Sequence, residues 1–278
     1  MFYERFVAPG RELNAEPRMN AKYIRFNQIA KLLALLLSAF ALKHFYSTAS
    51  VNELRWILAP TTRLVELVSG RMFSFEMHAG YMSSDRSFLI ASSCAGVNFM
   101  IAAFLMLSIA KLCRRKLSWK FIPTAFVISY ATTIVANTVR ISTALHLQNS
   151  RLDIAGLDAN QLHRLEGILI YFGFLLLLFL LSERTRDQTW GANPNSRISK
   201  MGQFILPLIV YYATTLGMPL ANAIYRHDFA TAFLEHSAVV FFAPLLLIAP
   251  LVLIIGRQRT ANSELTAGGS KSSTFFRS

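Results

Sequence analysis

Apolar residues in this chain fall into long blocks separated by short basic or polar stretches. Six blocks, at 28–46, 95–112, 120–140, 164–182, 202–221 and 238–256, are each close to the ~20 residues that a helix needs to cross a bilayer core. A longer mixed segment separates the first two. Within it, Asn52 to Ser69 sets Leu54, Ile57, Leu58, Leu64, Leu67 and Val68 at helical spacing around Pro60. This predicts a kinked amphipathic helix lying in the interface or dipping into the membrane, and its four charges make it a poor seventh span. From Phe73 onward apolar and polar residues alternate, "S-S-D" at Ser83 to Asp85 supplies a turn, and Phe88 to Ile90 resume the pattern. That predicts a small β-hairpin. The fold class is therefore an all-α polytopic membrane protein, with six transmembrane helices plus a small extracytoplasmic helix and β-hairpin. No internal repeat is visible.

Composition agrees with the blocks. The chain is 54% hydrophobic and 15% charged, against about a quarter charged for a soluble domain. The net charge of +13 raises the question of a nucleic-acid partner. The placement of the charges answers it. Eighteen basic residues precede span one, link spans two and three, follow span four or follow span six, and only six (Arg55, Arg63, Arg71, Arg86, Arg151 and Arg226) lie on the opposite side. The asymmetry puts both termini in the cytoplasm. No zinc-finger spacing, RNP motif or base-reading basic helix is present, so no nucleic-acid partner is expected. The stretch before span one is too long for an ordinary signal-peptide n-region, so span one is expected to be a retained anchor. The domain organisation expected is a cytoplasmic disordered tail at 1–27 and a catalytic membrane domain at 28–182 with an outer segment at 47–93. A cytoplasmic linker at 183–200, two additional helices within 201–256 and a second disordered tail at 257–278 complete it.

Following this orientation along the chain locates the chemistry. Span two begins outside at Cys94, in "S-S-C-A-G-V-N-F". Span three ends outside at Asn137 and Arg140, in "A-N-T-V-R-I", and span four begins outside at His163, in "L-H-R-L-E-G". Three consecutive spans thus bring a thiol, a guanidinium and an imidazole to one membrane surface. Only the thiolate is nucleophilic, and a helix N-terminus or a nearby Arg favours it. A His accepts or returns a proton near neutral pH. These are the parts of a cysteine acyl-transfer site. Spacing adds supporting residues. Asn98 is i+4 from Cys94, Asn137 and Arg140 are i,i+3, and Glu166 is i+3 from His163, where it is placed to orient the imidazole. Gly96 would let a substrate backbone come close to the sulfur.

Each residue also has a structural reading. A lone Cys in a membrane protein is usually a packing residue, an Arg at a helix end snorkels, and Asn or Glu near helix ends often caps. Cys113 lies at the other end of span two and is expected to be structural. It is too far away to form a disulfide with Cys94. His44, His78, His146, His227 and His236 show no metal-ligand spacing, so no metal and no cofactor are expected. A transporter or channel, or a membrane acyltransferase, would use Asn137, Arg140 and His163 to line a polar site instead. Charges confined to one face, with none at mid-span, count against the transporter.

The same residues carry a resemblance. "S-C-A-G-V-N", "N-T-V-R-I" and "H-R-L-E-G" on successive spans resemble the exosortase/archaeosortase family of multi-pass enzymes, over roughly residues 28 to 182. The compact N-terminal part points toward the exosortase K subgroup, and Ala95 departs from the Ser common at that position. The resemblance implies a membrane cysteine peptidase or transpeptidase that cleaves a C-terminal hydrophobic sorting signal from secreted proteins. It implies that Cys94 attacks the scissile carbonyl, Arg140 stabilises thiolate and oxyanion, and His163 protonates the leaving amine and then activates an acceptor nucleophile. The partners implied are those secreted proteins, the lipid bilayer and an acceptor that the sequence does not identify. The site would face outward from the cytoplasmic (inner) membrane.

Overall fold

A computed structural model describes residues 16–114, 117–150, 159–189, 202–217 and 240–250 of the chain. The helices are α1 (Glu16–Thr48), α2 (Arg55–Ser69), α3 (Val97–Arg114), α4 (Phe121–Ser150), α5 (Ala159–Thr189), α6 (Gly202–Thr215) and α7 (Val240–Pro250). Four helical stretches are long and apolar enough to cross a membrane: Phe26–Thr48, Ser92–Leu112, Phe121–Gln148 and Leu162–Arg184. The spans expected at 202–221 and 238–256 correspond to the shorter apolar helices α6 and α7, and the rest of those two blocks lies outside the described residues. So do residues 1–15 and 257–278 of the expected tails and residues 190–200 of the expected linker, whereas residues 16–27 of the first tail belong to α1 and residues 183–189 of the linker belong to α5. Among the described residues, the architecture is four membrane-length helices with a small sheet.

The central helix is α3. Seventy-two percent of its span is buried, against 17% for the span in α1. Ala102, Ala103 and Ala110 let neighbours approach, while Phe104, Met106 and Leu107 fill the gaps against Phe172, Leu175 and Phe179 of α5. The outer helix α1 offers only a stripe one turn apart, Lys31, Leu35 and Ala39, to the bundle, and leaves Phe26, Leu33, Leu37 and Phe40 exposed. In a bilayer those exposed residues face lipid. The two ends of the apolar span of α1, Phe26–Thr48, are held by polar contacts. Lys31 Nζ donates to the Leu117 carbonyl at 2.7 Å, and Gln28 Oε1 accepts the Leu117 N–H at 3.0 Å, in the α3–α4 connection. At the other end, Lys43 Nζ donates to Asn98 Oδ1 at 2.8 Å and Tyr46 Oη to the Ser92 carbonyl at 3.4 Å.

The turn into α2 is built by Ser50 and Glu53. Glu53 Oε2 accepts from the Ser50 N–H at 2.7 Å and its hydroxyl at 2.8 Å. These bonds, the backbone one foremost, hold the Glu53 carboxyl below its ordinary range. The helix expected around Pro60 is α2, which runs from Arg55 to Ser69 with Pro60 inside it. Pro60 has no N–H for the Trp56 carbonyl one turn back. Tyr130 of α4 donates its hydroxyl to that carbonyl at 2.7 Å and stacks on the Trp56 ring. The orphan created by Pro60 is therefore a docking point for α4. Ile57, Leu58 and Val65 form the buried face of α2 and meet Ile90, Val97, Met100 and Ile141 in a second apolar cluster.

Where one hairpin is predicted, the structure has a three-stranded antiparallel meander, β1 (Phe73–Glu76), β2 (Gly80–Ser83) and β3 (Leu89–Ile90). The alternation continues across a second turn at 77–79, where the Ala79 N–H returns to the Glu76 carbonyl. Gly80 makes that turn possible: its φ is +129°, and a Cβ there would collide with the Ile90 carbonyl of β3. The expected "S-S-D" turn is present. Asp85 Oδ1 accepts from Ser83 Oγ at 2.6 Å and the Ser87 N–H at 3.2 Å. The chain leaves β3 directly into the turn that carries Cys94.

Candidate active site

Cys94 does not begin a membrane helix. It lies in a 3₁₀ turn, Ser92–Ala95, and α3 starts only after Gly96. Gly96 has φ +67°, a left-handed conformation that reverses the backbone between turn and helix. The reversal cancels the expected i,i+4 relation between Cys94 and Asn98. Asn98 is exposed and faces α1 through Lys43. The half-buried thiol instead sits just ahead of the first turn of α3, whose free N–H groups lie at that end of the helix.

Gly96 itself is used differently from expectation. A Cβ at Gly96 would lie 2.5 Å from Asn137 Nδ2 and 2.7 Å from Asn137 Oδ1. The missing side chain therefore admits the fully buried amide of Asn137 rather than a substrate backbone. From that position Asn137 Nδ2 donates to the Cys94 carbonyl at 3.0 Å.

Arg140 lies one turn beyond Asn137 on the same face of α4, as its spacing predicts. It is not at the helix end, because α4 continues to Ser150. Ten further residues put the guanidinium about 15 Å below the end of its helix. It bridges α4 to α5, donating from Nη1 to Tyr171 Oη at 3.3 Å and lying 3.3 Å from His163 Nε2 through Nη2. Its Cζ also lies 5.4 Å from the centre of the Tyr171 ring. Its Nε is buried with no hydrogen-bond partner and packs against Gly167, where a Cβ would come within 3.0 Å.

His163 is half-exposed, and its Nδ1 lies 3.4 Å from Glu166 Oε2, the carboxylate one turn away. A guanidinium has only donors, so the contact with Arg140 requires Nε2 to accept. The ring proton then sits on Nδ1, toward Glu166. Glu166 is itself buried, and its contact with His163 is an electrostatic one at this distance rather than a hydrogen bond.

The structure thus gathers Arg140, His163, Glu166 and Asn137 into one cluster and ties the Cys94 turn to it through Asn137. Cys94 is within electrostatic range of Arg140, Tyr46 and Tyr171. Asn98 stands outside the cluster. Sequence reasoning missed Tyr171, Tyr46, Lys43 and Gly167. The first and last had a signal: Gly167 and Tyr171 are i+4 and i+8 from His163, one stripe on α5. The side chain of Cys113, at the far end of α3, lies outside the described residues, as do His227 and His236. Among the described residues no three His, Cys, Asp or Glu side chains are grouped as metal ligands.

Four membrane-length helices with a thiol turn, a guanidinium and an imidazole toward one end define a multi-pass membrane protein with a polar site at that end. The family model for transmembrane exosortase (Exosortase_EpsH) matches residues 25–181, more than half of the 278-residue chain. The chain belongs to the transmembrane exosortase family. No curated protein and no solved structure matches it.

Proposed function

We propose that the protein is a membrane cysteine transpeptidase that processes secreted proteins bearing a C-terminal hydrophobic sorting signal, with Cys94, Arg140 and His163 as the reacting group. The observation that carries this reading is the 3.3 Å approach of Arg140 Nη2 to His163 Nε2, in the cluster that Asn137 ties to the Cys94 turn. Family membership supports the reaction class.

In this mechanism Arg140 turns from His163 toward the scissile carbonyl, which frees Nε2 to take the Cys94 proton, and the thiolate attacks the carbonyl carbon. Arg140 faces the negative charge as it moves from sulfur to oxyanion. As the C–N bond breaks, the imidazolium returns its proton to the leaving amine, leaving a Cys94 thioester. His163 then takes a proton from the acceptor, which attacks the thioester and frees Cys94. Glu166 holds the Nδ1–H side of the ring, so Nε2 remains the working nitrogen throughout.

The proposed orientation puts this end of the bundle at the outer face. Lys111 near the end of α3 and Lys120 in the α3–α4 connection lie at the opposite end, where Lys31 and Gln28 of α1 bind Leu117, which fits a cytoplasmic side. A substrate tail with basic residues at its end would then lie parallel to the spans, with its cleavable bond level with Cys94.

The test is co-expression of the full chain with candidate tail-anchored secreted proteins. Wild type should process the tail and yield a hydroxylamine-sensitive adduct on Cys94 by mass spectrometry, and Cys94→Ala should insert normally and process nothing. Processing by the Cys94→Ala protein at the wild-type rate would rule the reading out.

A further inference from the structure

We propose that Tyr171 is a positioning residue that couples the Arg140 guanidinium to the Cys94 turn. The inference rests on the functional reading above and adds a group that neither the sequence motifs nor the family assignment identifies.

The contacts form a chain with one direction. Arg140 Nη1 donates to Tyr171 Oη, Tyr171 donates to Asn137 Oδ1 through a short bond, and Asn137 Nδ2 donates to the Cys94 carbonyl. Each donor in such a chain polarises the next, and the cationic end strengthens all of them. The direction also fixes the Asn137 amide. Its oxygen must face Tyr171, so its nitrogen must face Cys94.

A purely structural tyrosine would need only its ring. The ring is accounted for by stacking on Phe99 of α3, with centroids 5.0 Å apart. The hydroxyl is the surplus group, and both its bonds go to residues of the site. Without it, Asn137 Oδ1 would be buried with no donor and Arg140 would lose the acceptor opposite His163. The two glycines that border the chain agree with this role. Gly96 makes room for Asn137, and Gly167, one turn before Tyr171, makes room for Arg140.

Cys94 is within electrostatic range of Tyr46 on α1, Arg140 on α4 and Tyr171 on α5, and Arg140 in turn interacts with Glu166 and His163. Arg140 is the one cation in this set. If Tyr171 holds it in place, removing the hydroxyl should lower thiol reactivity through charge rather than through access.

The experiment measures alkylation of Cys94 by iodoacetamide in the purified full chain, with Cys113→Ser as the background. At pH 7.5 Tyr171→Phe should react roughly tenfold more slowly than the background, and at pH 10, where thiols ionise without help, the gap should close. Asn137→Ala, which breaks the next link, should behave alike. Arg140→Gln should be at least as slow at pH 7.5, and adding Tyr171→Phe to it should change the rate by less than about twofold. Equal rates for background and Tyr171→Phe at pH 7.5 would overturn the proposal. A gap that persists at pH 10 would also overturn it, since that would mean altered access. So would an Arg140→Gln protein that reacts at the background rate. Alkylation needs no substrate, so this result and the processing result for Cys94→Ala fail independently.

Discussion

The side-chain amide of Asn137 occupies the space that any side chain on Gly96 would fill. A Cβ there would lie 2.5 Å from its nitrogen and 2.9 Å from its Cγ, and the obstacle is a fully buried amide bonded to Tyr171 and to the Cys94 carbonyl. Gly96→Ala therefore carries two costs, displacement of Asn137 and a left-handed φ, the second alone about 1–3 kcal/mol. The variant should insert in the membrane, show a lowered unfolding temperature in detergent, and lose processing and Cys94 alkylation together.

Gly167→Ala should separate stability from function. Gly167 is inside α5, where Ala is favoured by about 0.5–1 kcal/mol. Its Cβ would meet Arg140 Nε at 3.0 Å, so the long Arg side chain must give way by a few tenths of an ångström. The variant is expected to unfold at the same temperature as wild type or higher, yet to process substrate roughly tenfold more slowly, because small misplacements at a reacting centre are costly.

Tyr130→Phe tests the junction at Pro60. It keeps the ring stacked on Trp56 but leaves the Trp56 carbonyl without the donor that replaces the missing proline N–H. The loss of one such bond costs about 0.5–1.5 kcal/mol. Adding Pro60→Ala, which restores a backbone donor, should recover most of it. Thermal unfolding of the two single variants and the double variant reads this directly.

The turn between β2 and β3 should respond to acid. Hydrogen bonds from Ser83 and Ser87 hold the Asp85 carboxyl down to about 2. A carboxyl lowered in the folded state stabilises that state above the ordinary Asp value of 3.8 and loses the effect as pH falls through about 2. Amide exchange at Ser87, corrected for intrinsic rates, should therefore show protection at pH 5 that is lost by about pH 2. In Asp85→Ala that protection should be weak at both.

The hydropathy blocks made the four membrane-length helices legible, because lipid imposes a length and an apolar content that few other environments require. The i,i+3 pairs Asn137/Arg140 and His163/Glu166 were legible for the same reason that helices are: their spacing is fixed. What the sequence hid depends on the backbone leaving its pattern. Gly96 interrupts the helical count just after Cys94, so Asn98 faces α1 instead of the thiol. Arg140 looks like a helix end because the apolar count stops there, but Ile141, Ala144 and Leu145 continue to bury a face and the helix runs on. Gly80 turns a strand where alternation alone sees none. Tyr171 sits in an apolar run and reads as core, and only its i+8 place on the His163 stripe sets it apart.

The contacts of α1 make the site sensitive to the membrane itself. The apolar span of this helix is held near its two ends, to Leu117 at one and to Asn98 and Ser92 at the other, with little packing between. A helix of fixed length answers a thinner or thicker bilayer by tilting. Tilt in α1 would pull on Lys43 and Tyr46, and through them on the residues on either side of Cys94. Hydrocarbon thickness would then act as an input to catalysis. Processing rates in liposomes of graded acyl-chain length should pass through a maximum, and in Lys43→Met the maximum should flatten.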